Sequence, residues 1–549
     1  MWKDGGQYTP FSVSPSVSAL TFDETHAYAP PARSFMSAGK LRAEADNYEH
    51  RDMSAGIPFI PAAVLGAMGW LLGSLDRAFI AADFIFPALL FALLYQLTAS
   101  SVLQRDFRLL VAWSSVLVPF GLLNSIWMGD DAAIAPLEIT RTPQPEISFL
   151  ALLAAVALLA KTISSQNRRL MVAAGIASGA VVYCYYFYAL AWGITLGLLL
   201  ILGLAWRLRS LWMPIASTLS AMMLLAFPYF WETLLGKREG GQTFLLERMG
   251  AYTHRPNLLP LIAAVCIAGA LFLFGKELCR TQPVYFALAA LIAGSMYGMN
   301  FQILSGYETQ TWHFWKRLAV PVLFFMLASG LAARAGRAKA QNLHHFRIAA
   351  RILLVLLILE TAGRLTRAGI LVSPFERSSN PDVAMLSWVR SHISQRQVLG
   401  AADPELILLI PALTSDYTYV PSGLRSLTST TEIVDRYFEL ACLLGMSPAE
   451  VARAAALPDH LGHSTELLHV LGLSYKRDPA VYSRFVDDYG KYQRNCHYPH
   501  WRLDYLVVPA GSSRERAAER FPFERVVYRN SEYELLELKP RGNRFEKTR

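Results

Sequence analysis

A series of long apolar runs fills the first two-thirds of this chain and limits what it can become. Crossing a bilayer takes about 20 apolar residues. Ten runs come close to that length: 78–99, 108–127, 146–161, 170–187, 188–206, 211–231, 258–275, 283–303, 317–334 and 348–368. Of the 549 residues, 53% are hydrophobic and only 17% charged. Together these predict an α-helical polytopic membrane protein of about ten spans with a soluble part, not one water-soluble domain. A further run, 57–74, opens with "GIPFIPAAVLG" and is joined to the next by only "SLDR". Its prolines and short link suit a helix lying along the interface. Within 170–206, two spans fold around "YCYYFYALAW" with almost no loop between them.

The loops predict sidedness. Every second one is short and basic: Arg105 and Arg108; Lys161, Arg168 and Arg169; Arg207 and Arg209; Lys276 and Arg280; then Arg334, Arg337, Lys339 and Arg347. Such loops stay in the cytoplasm. The net charge of +9 therefore reports orientation, not nucleic-acid binding. The alternate loops, 128–145, 232–257 and 304–316, are longer and carry acids, aromatics and prolines. They face outside, as does the chain after about residue 370. If 57–74 does not cross, residues 1–56 are outside too; if it crosses, they are cytoplasmic. No signal peptide is visible in 1–56, so an outer first segment calls for a membrane helix ahead of Met1.

The expected organisation is a first outer loop at 1–56, a transmembrane bundle at 57–370, and a soluble α/β domain outside at 371–549. In that domain "PDVAMLSWVRSHI" reads as an amphipathic helix, and further helices fall at 430–445, 447–456 and 478–490. "QVLGA", "DYTYV" and "LDYLVVPA" read as strands, and "RVVYRNSEYELLEL" as a hairpin around Arg529–Asn530–Ser531. Strands interleaved with helices suggest a small α/β domain. It holds no phosphate loop, Cys/His metal spacing or nucleophile elbow. The five cysteines are too few for a disulfide scaffold. Cys442 and Cys496 could pair if this domain lies outside the cytoplasm.

From Val111 to Trp127, and across 170–206, 211–231, 258–275, 283–303 and 318–333, no Asp, Glu, Lys, Arg or His lies away from the ends, which argues against an ion-coupled carrier. Polar groups gather instead in four outer clusters. "FDETHAYAPPARSFMSAG" holds Asp23, Glu24, His26, Tyr28 and Arg33. Pro30 and Pro31 suit the start of a helix over about 31–38 and Gly39 its end, so Asp23 to Tyr28 form the entering loop. Carboxylates there suit acid–base work or a metal. "WMGDDAAIAPLEITRTPQPE" holds Asp130, Asp131, Glu138 and Arg141. Its acid pair could share a divalent cation, magnesium or manganese, or organise a sugar. "GYETQTWHFWKRLAVP" holds Glu308, His313, Lys316 and Arg317 at a span entry. Trp312 and Trp315 there suit an aromatic belt. Lys316 and Arg317 run against the charge bias of an outer loop and suit a lipid phosphate. "GKREGGQTFLLERMGAYTHRPN", with Arg248 and His254, reads as a flexible, substrate-covering loop. Each cluster also has a plainer reading as a solvated loop.

Over roughly residues 18–335 these motifs, in this order, resemble the GT-C superfamily of glycosyltransferases. "FDETHAYAPPARSFMSAG" followed by "PFIPAAVLGAMGWLLGSLDR" is similar to the first loop and interfacial helix of protein mannosyltransferase-like and aminoarabinose transferase-like members. "RTPQPEISFLALLAAVALLAK" is similar to the second outer loop, and "WKRLAVPVLFFMLASG" to a late span start. Family members place a span before the first loop, where this chain has none. The resemblance implies that Asp23 is the catalytic base for an inverting transfer from a polyprenyl-phosphate sugar, with Glu24 in support. Arg317, Lys316 and His313 would meet the donor phosphate. His26, Tyr28, Arg33 and Arg141 would line the substrate site, and Asp130 and Asp131 a metal. The acceptor would be a glycan, lipid or protein hydroxyl. The setting would be a bacterial inner membrane with the site facing the periplasm. The rivals are a lipid-linked sugar flippase or carrier, a polysaccharide polymerase or ligase, and an inactive scaffold.

Overall fold

The computed structural model describes residues 22–40, 44–53, 58–101, 104–127, 145–238, 248, 251–308, 310–337, 340–372, 381–423, 425–456, 467–473, 479–496, 499–511 and 523–538. Among the described residues, six helices are long and apolar enough to cross a membrane: Leu75–Leu97, Glu146–Ser165, Tyr186–Ala205, Arg209–Trp231, Leu258–Thr281 and Trp315–Gly336. Helices also form at the other four expected positions but do not meet that standard. Arg168–Val182 and Pro283–Gly298 have 15 and 16 residues, too few at ~1.5 Å per residue to match a hydrocarbon core of ~30 Å. Ala340–Val372 carries Arg347, Arg351 and Glu360 along its length. Arg105–Trp127 is described by side chain only as far as Val116.

The bundle has two chemically distinct ends. At one, the short basic loops meet. Arg351 pairs with Asp106 at 2.9 Å, and Gln166 Nε2 donates to Ser210 O at 2.7 Å. Arg108 donates to Tyr95 O at 3.0 Å and covers the Tyr95 ring. At the other end lie the 183–185 turn, the 306–317 segment, the first two helices and the C-terminal domain. Ile60–Leu72 has only 13 residues and stops at Gly73 in the left-handed region. Its first amide donates to Tyr183 O at 3.0 Å.

The first helix is a correction to the expected loop. It begins at Phe22, runs through Pro30 and Pro31, and ends at Ala38. Interior prolines remove backbone donors, but Tyr28, Ala29 and Ala32 are buried in the core shared with Ile60–Leu72 and Pro404–Leu413. That burial outweighs the lost bonds. The approach is close: a Cβ on Gly66 would stand 2.7 Å from Ala32 O. Gly39, at φ +67, closes the helix where expected.

Two short strands, β1 (Ala251–Tyr252) and β2 (Tyr307–Glu308), pair in the bundle, and the C-terminal domain is built on a five-stranded sheet in which the strands that start at Tyr417, Val398, Tyr505, Tyr533 and Phe523 lie side by side in that order. Its strands are β3 (Val398–Gly400), β4 (Tyr417–Thr418), β5 (Tyr505–Pro509), β6 (Phe523–Arg529) and β7 (Tyr533–Leu538). β3 pairs in parallel with β4 and β5; β5, β7 and β6 run antiparallel. Each expected strand and the hairpin are present. Helices cover Pro381–His392, Thr430–Leu443, Pro448–Ala456 and Pro479–Tyr492. Pro404–Leu413 adds a helix not read from the sequence, buried from Leu406 to Leu413. Cys442 and Cys496 are disulfide-bonded across 54 residues of chain.

The segment 44–53 is folded into this domain. Asp46 pairs with Arg425 at 2.6 Å, with side chains 3% and 5% exposed. Asp46 O accepts from Thr418 N on the edge strand, and Glu44 accepts from Leu427 N at 3.1 Å. Arg436 is fully buried; it binds Glu49 at 2.9 Å and Glu432 at 2.8 Å, and lies 4.4 Å from the Trp501 ring. His50 meets Glu432 at 3.0 Å. A second tie comes from Arg248. Its Nε donates to Thr430 Oγ1 at 2.9 Å, and its other nitrogens donate to Gly423, Ser426 and Thr428 carbonyls. A Cβ at Gly472, itself at φ +75, would stand 2.6 Å from Arg248 Cδ. Arg248 is thus anchored, unlike the freely covering loop expected.

These contacts set a pH window. The hydrogen bond to Glu432 raises the His50 pKa above its usual 6.5. Its contribution to stability is therefore full below about 6.5 and lost as pH rises through the raised value. Burial and then the Asp46 charge push Glu44 up to about 7, which weakens the folded state in the same direction. Burial opposes the Glu432 charge, but His50 and Arg436 hold it down at about 2, so its contribution is lost only as pH falls from its usual 4.5 toward that value. Thermal unfolding of the detergent-solubilised chain is expected to peak between about pH 4.5 and 6.5 and to decline through pH 8, less steeply in His50→Gln. Arg436→Met, which strands two carboxylates, is expected to cost about 3–5 kcal/mol in the same assay.

Candidate active site

At the end of the bundle that carries the C-terminal domain, three polar side chains meet under cover. Tyr185 is the N-terminal cap of Tyr186–Ala205. His313 lies in a short helical turn, Trp312–Phe314, and Arg317 lies in the π-helical turn Trp315–Ala319 that begins the last qualifying span. Such turns widen a helix locally and recur at functional sites. Here the turn sets Arg317 beneath the aromatic layer of the 183–188 turn. The Arg317 side chain is buried, as are those of Tyr185, Tyr188 and His313.

Arg317 Nη1 donates to the Tyr185 hydroxyl at 2.8 Å. That hydroxyl also bonds His313 Nδ1. Arginine can only donate, so the Tyr185 oxygen accepts from it and still has its proton and a second lone pair to share with Nδ1. Phe187 stacks on His313 at 4.2 Å between ring centres, and Tyr188 donates to the Arg317 carbonyl at 2.6 Å. The result is a desolvated cation locked to a hydroxyl and an imidazole. Such a group can stabilise an anion at far higher strength than in water. It supplies a positive charge and proton donors; a carboxylate base must come from another segment.

The candidate residues divide as follows. His313 and Arg317 come together, and Lys316 sits beside them, half-buried. Asp23, Glu24 and His26 lie on the first helix, with side chains outside the described residues. Tyr28 is buried in the packing of that helix. Arg33 donates to Ala412 O at 2.8 Å and lies 3.8 Å from Asp76, tying the helix to the C-terminal domain. Asp130, Asp131, Glu138 and Arg141 lie outside the described residues, as does the Glu308 side chain. Among the described residues no group of three or more His, Cys, Asp or Glu could hold a metal. Tyr185, Tyr188 and the fully buried Glu146 were not singled out in the sequence. The signals were there: a dense tyrosine run between two spans, and an acid at the first position of the run 146–161.

No family model matches the chain, and no curated protein matches it. Among solved structures it is similar to ArnT from Cupriavidus metallidurans bound to undecaprenyl phosphate, at 13% identity and a TM-score of 0.43, over 96% of this chain and 97% of that one. It is also similar to the archaeal oligosaccharyltransferase AglB from Archaeoglobus fulgidus, in complex with an inhibitory peptide and a dolichol-phosphate. That match is at 12% identity and a TM-score of 0.43, over 90% of this chain and 67% of that one.

Tyr185→Phe is expected to lower the unfolding free energy of the full chain by ~1.5–3 kcal/mol, the value of a hydrogen bond to a charged group. Denaturation in detergent would read it, and an unchanged midpoint would contradict the bonded cluster.

Proposed function

We propose that the chain is an integral membrane glycosyltransferase of the GT-C type. It moves a sugar from a polyprenyl-phosphate donor to an acceptor hydroxyl at the outer face of a bacterial inner membrane. The observation that carries this reading is the buried Arg317, bonded to Tyr185 at 2.8 Å, at the same end of the bundle as the helix that bears Asp23. The motif order in the sequence supports it. So does the disulfide Cys442–Cys496, a bond suited to an oxidising compartment.

In this reading Asp23 takes the proton of the acceptor hydroxyl. The hydroxyl oxygen attacks the anomeric carbon from the side opposite the donor phosphate, and the configuration inverts. The bond from that carbon to the phosphate oxygen breaks, and its electron pair leaves with the polyprenyl phosphate. Arg317, with Lys316 and His313 beside it, meets the charge that develops on the leaving oxygen. Glu24 orients Asp23 or the acceptor, and Asp130 and Asp131 would hold a divalent cation near the donor.

Reconstitution with polyprenyl-phosphate sugars tests each role. Asp23→Asn is expected to slow transfer by ~10²–10⁴, and Arg317→Ala by ~10²–10³, mostly in kcat. Transfer at full rate in Asp23→Asn would sink the base assignment. EDTA is expected to abolish transfer and magnesium or manganese to restore it; activity indifferent to EDTA would remove the metal from the scheme.

A further inference from the structure

A polar cavity lies apart from the Arg317 cluster, between the first helix and the edge of the C-terminal sheet. Its lining includes Arg33, Lys40, Arg51, Arg396, Asp416 and Tyr417. Four cations thus face one carboxylate. Asp416 is buried and already engaged, accepting from Gln397 N at 3.0 Å. Burial also lifts its pKa to about 6, which weakens it further as a counter-charge.

The cations differ in how far they are neutralised. Arg33 is held by Ala412 O and by Asp76, which also takes Arg390 at 3.0 Å. Lys40 meets Asp52 at 2.8 Å, but that pair is exposed and worth little. Arg51 donates to Tyr48 O and lies over the Tyr48 ring at 4.0 Å, with no carboxylate bound to it among the described residues. No described residue pairs with the Arg396 guanidinium. Arg396 is held at φ +69, a left-handed conformation unusual for a residue with a side chain. Backbone strain of this kind persists where the surrounding structure demands it.

The position of the cavity narrows the ligand. Asp76, which Arg33 approaches, stands in the first turn of the span Leu75–Leu97. The neighbouring Ile60–Leu72 exposes Trp70 and Leu71 at 71% and 73%. The cavity therefore lies level with the end of an apolar span, where lipid headgroups begin.

We infer that this cavity is a binding site for a phosphate group, gripped by Arg396, Arg51 and Lys40 with the Tyr417 hydroxyl beside them. Guanidinium forks match phosphate oxygens in geometry and number, and a multiply charged oxyanion offsets the excess positive charge better than a carboxylate does. The phosphate could be carried by a membrane lipid or be free in solution. Nothing in this inference depends on the transfer reaction.

The test uses the full chain in detergent micelles, with short-chain phosphatidic acid, short-chain phosphatidylcholine and inorganic phosphate as probes. Native mass spectrometry reads the lipids, and equilibrium dialysis of labelled phosphate reads the free anion. Both exposed cations are removed together in Lys40→Ala/Arg396→Ala, with Arg525→Ala as a charge control elsewhere in the domain. Binding of phosphatidic acid or of phosphate that falls at least tenfold in the double variant, and not in the control, supports the site. Loss for phosphatidic acid alone identifies a lipid headgroup, and loss for both identifies a free phosphate group. Equal binding by the double variant and the unaltered chain, or no binding of either phosphate probe, overturns it.

Discussion

Two buried arginines of the C-terminal domain determine where that domain must sit. Arg425 and Arg436 are out of water, and a desolvated guanidinium without a partner costs several kcal/mol. Their partners are not in the domain alone. Asp46 and Glu49 come from the segment that follows the first helix, more than 370 residues earlier in the chain. The domain therefore satisfies its own interior only when that segment is inserted. Through Gly39 the segment is continuous with the helix Phe22–Ala38, and through Arg33 that helix is bonded to Ala412. Domain, segment and first helix are one packed unit.

That unit meets the bundle at the end where Tyr185, His313 and Arg317 lie. Ile60–Leu72 is the connecting piece: the first helix packs on it, and its leading amide is bonded to Tyr183, two residues before Tyr185. β1 (Ala251–Tyr252) and β2 (Tyr307–Glu308) pair on the same side. The strand β1 follows Arg248 and β2 precedes His313, so the loop clamped in the C-terminal domain is joined by a short sheet to the segment that carries the cluster. The carboxylates proposed to act as base and the cation proposed to receive charge thus belong to different parts of the chain, brought to one end by packing rather than by sequence proximity.

The apolar runs and the basic loops were legible because each is a local property: length, hydropathy and charge read from neighbouring residues. The strands of the C-terminal domain were legible for the same reason, being short alternating or β-branched runs bounded by turn residues. Pro404–Leu413 was not, because ten residues, apolar apart from Glu405 and with prolines at 404 and 411, match neither a span nor an amphipathic pattern; the helix is buried on all sides from Leu406 onward. The first helix was misread because its prolines are strong local signals, and what overrides them is tertiary burial of Tyr28, Ala29 and Ala32. Segment 44–53 was not distinguished within the first loop, since nothing local reveals that Arg425 and Arg436 wait for it. His313 and Arg317 stood out as cations at an outer loop, but the tyrosine that joins them comes from a turn 128 residues away from His313.

Orientation can be argued from two independent kinds of chemistry. Basic residues gather at the end of the bundle where Arg351 meets Asp106 and Arg108 meets Tyr95, and the insertion bias keeps such loops in the cytoplasm. The disulfide belongs to the domain packed at the opposite end, and a disulfide persists where the surroundings are oxidising. The handling of charge during insertion and the redox state of a compartment are physically independent of each other. Both support the orientation proposed above, in which the Arg317 cluster, the first helix and the proposed phosphate site face outward, where a lipid-linked donor and an envelope acceptor would have to meet.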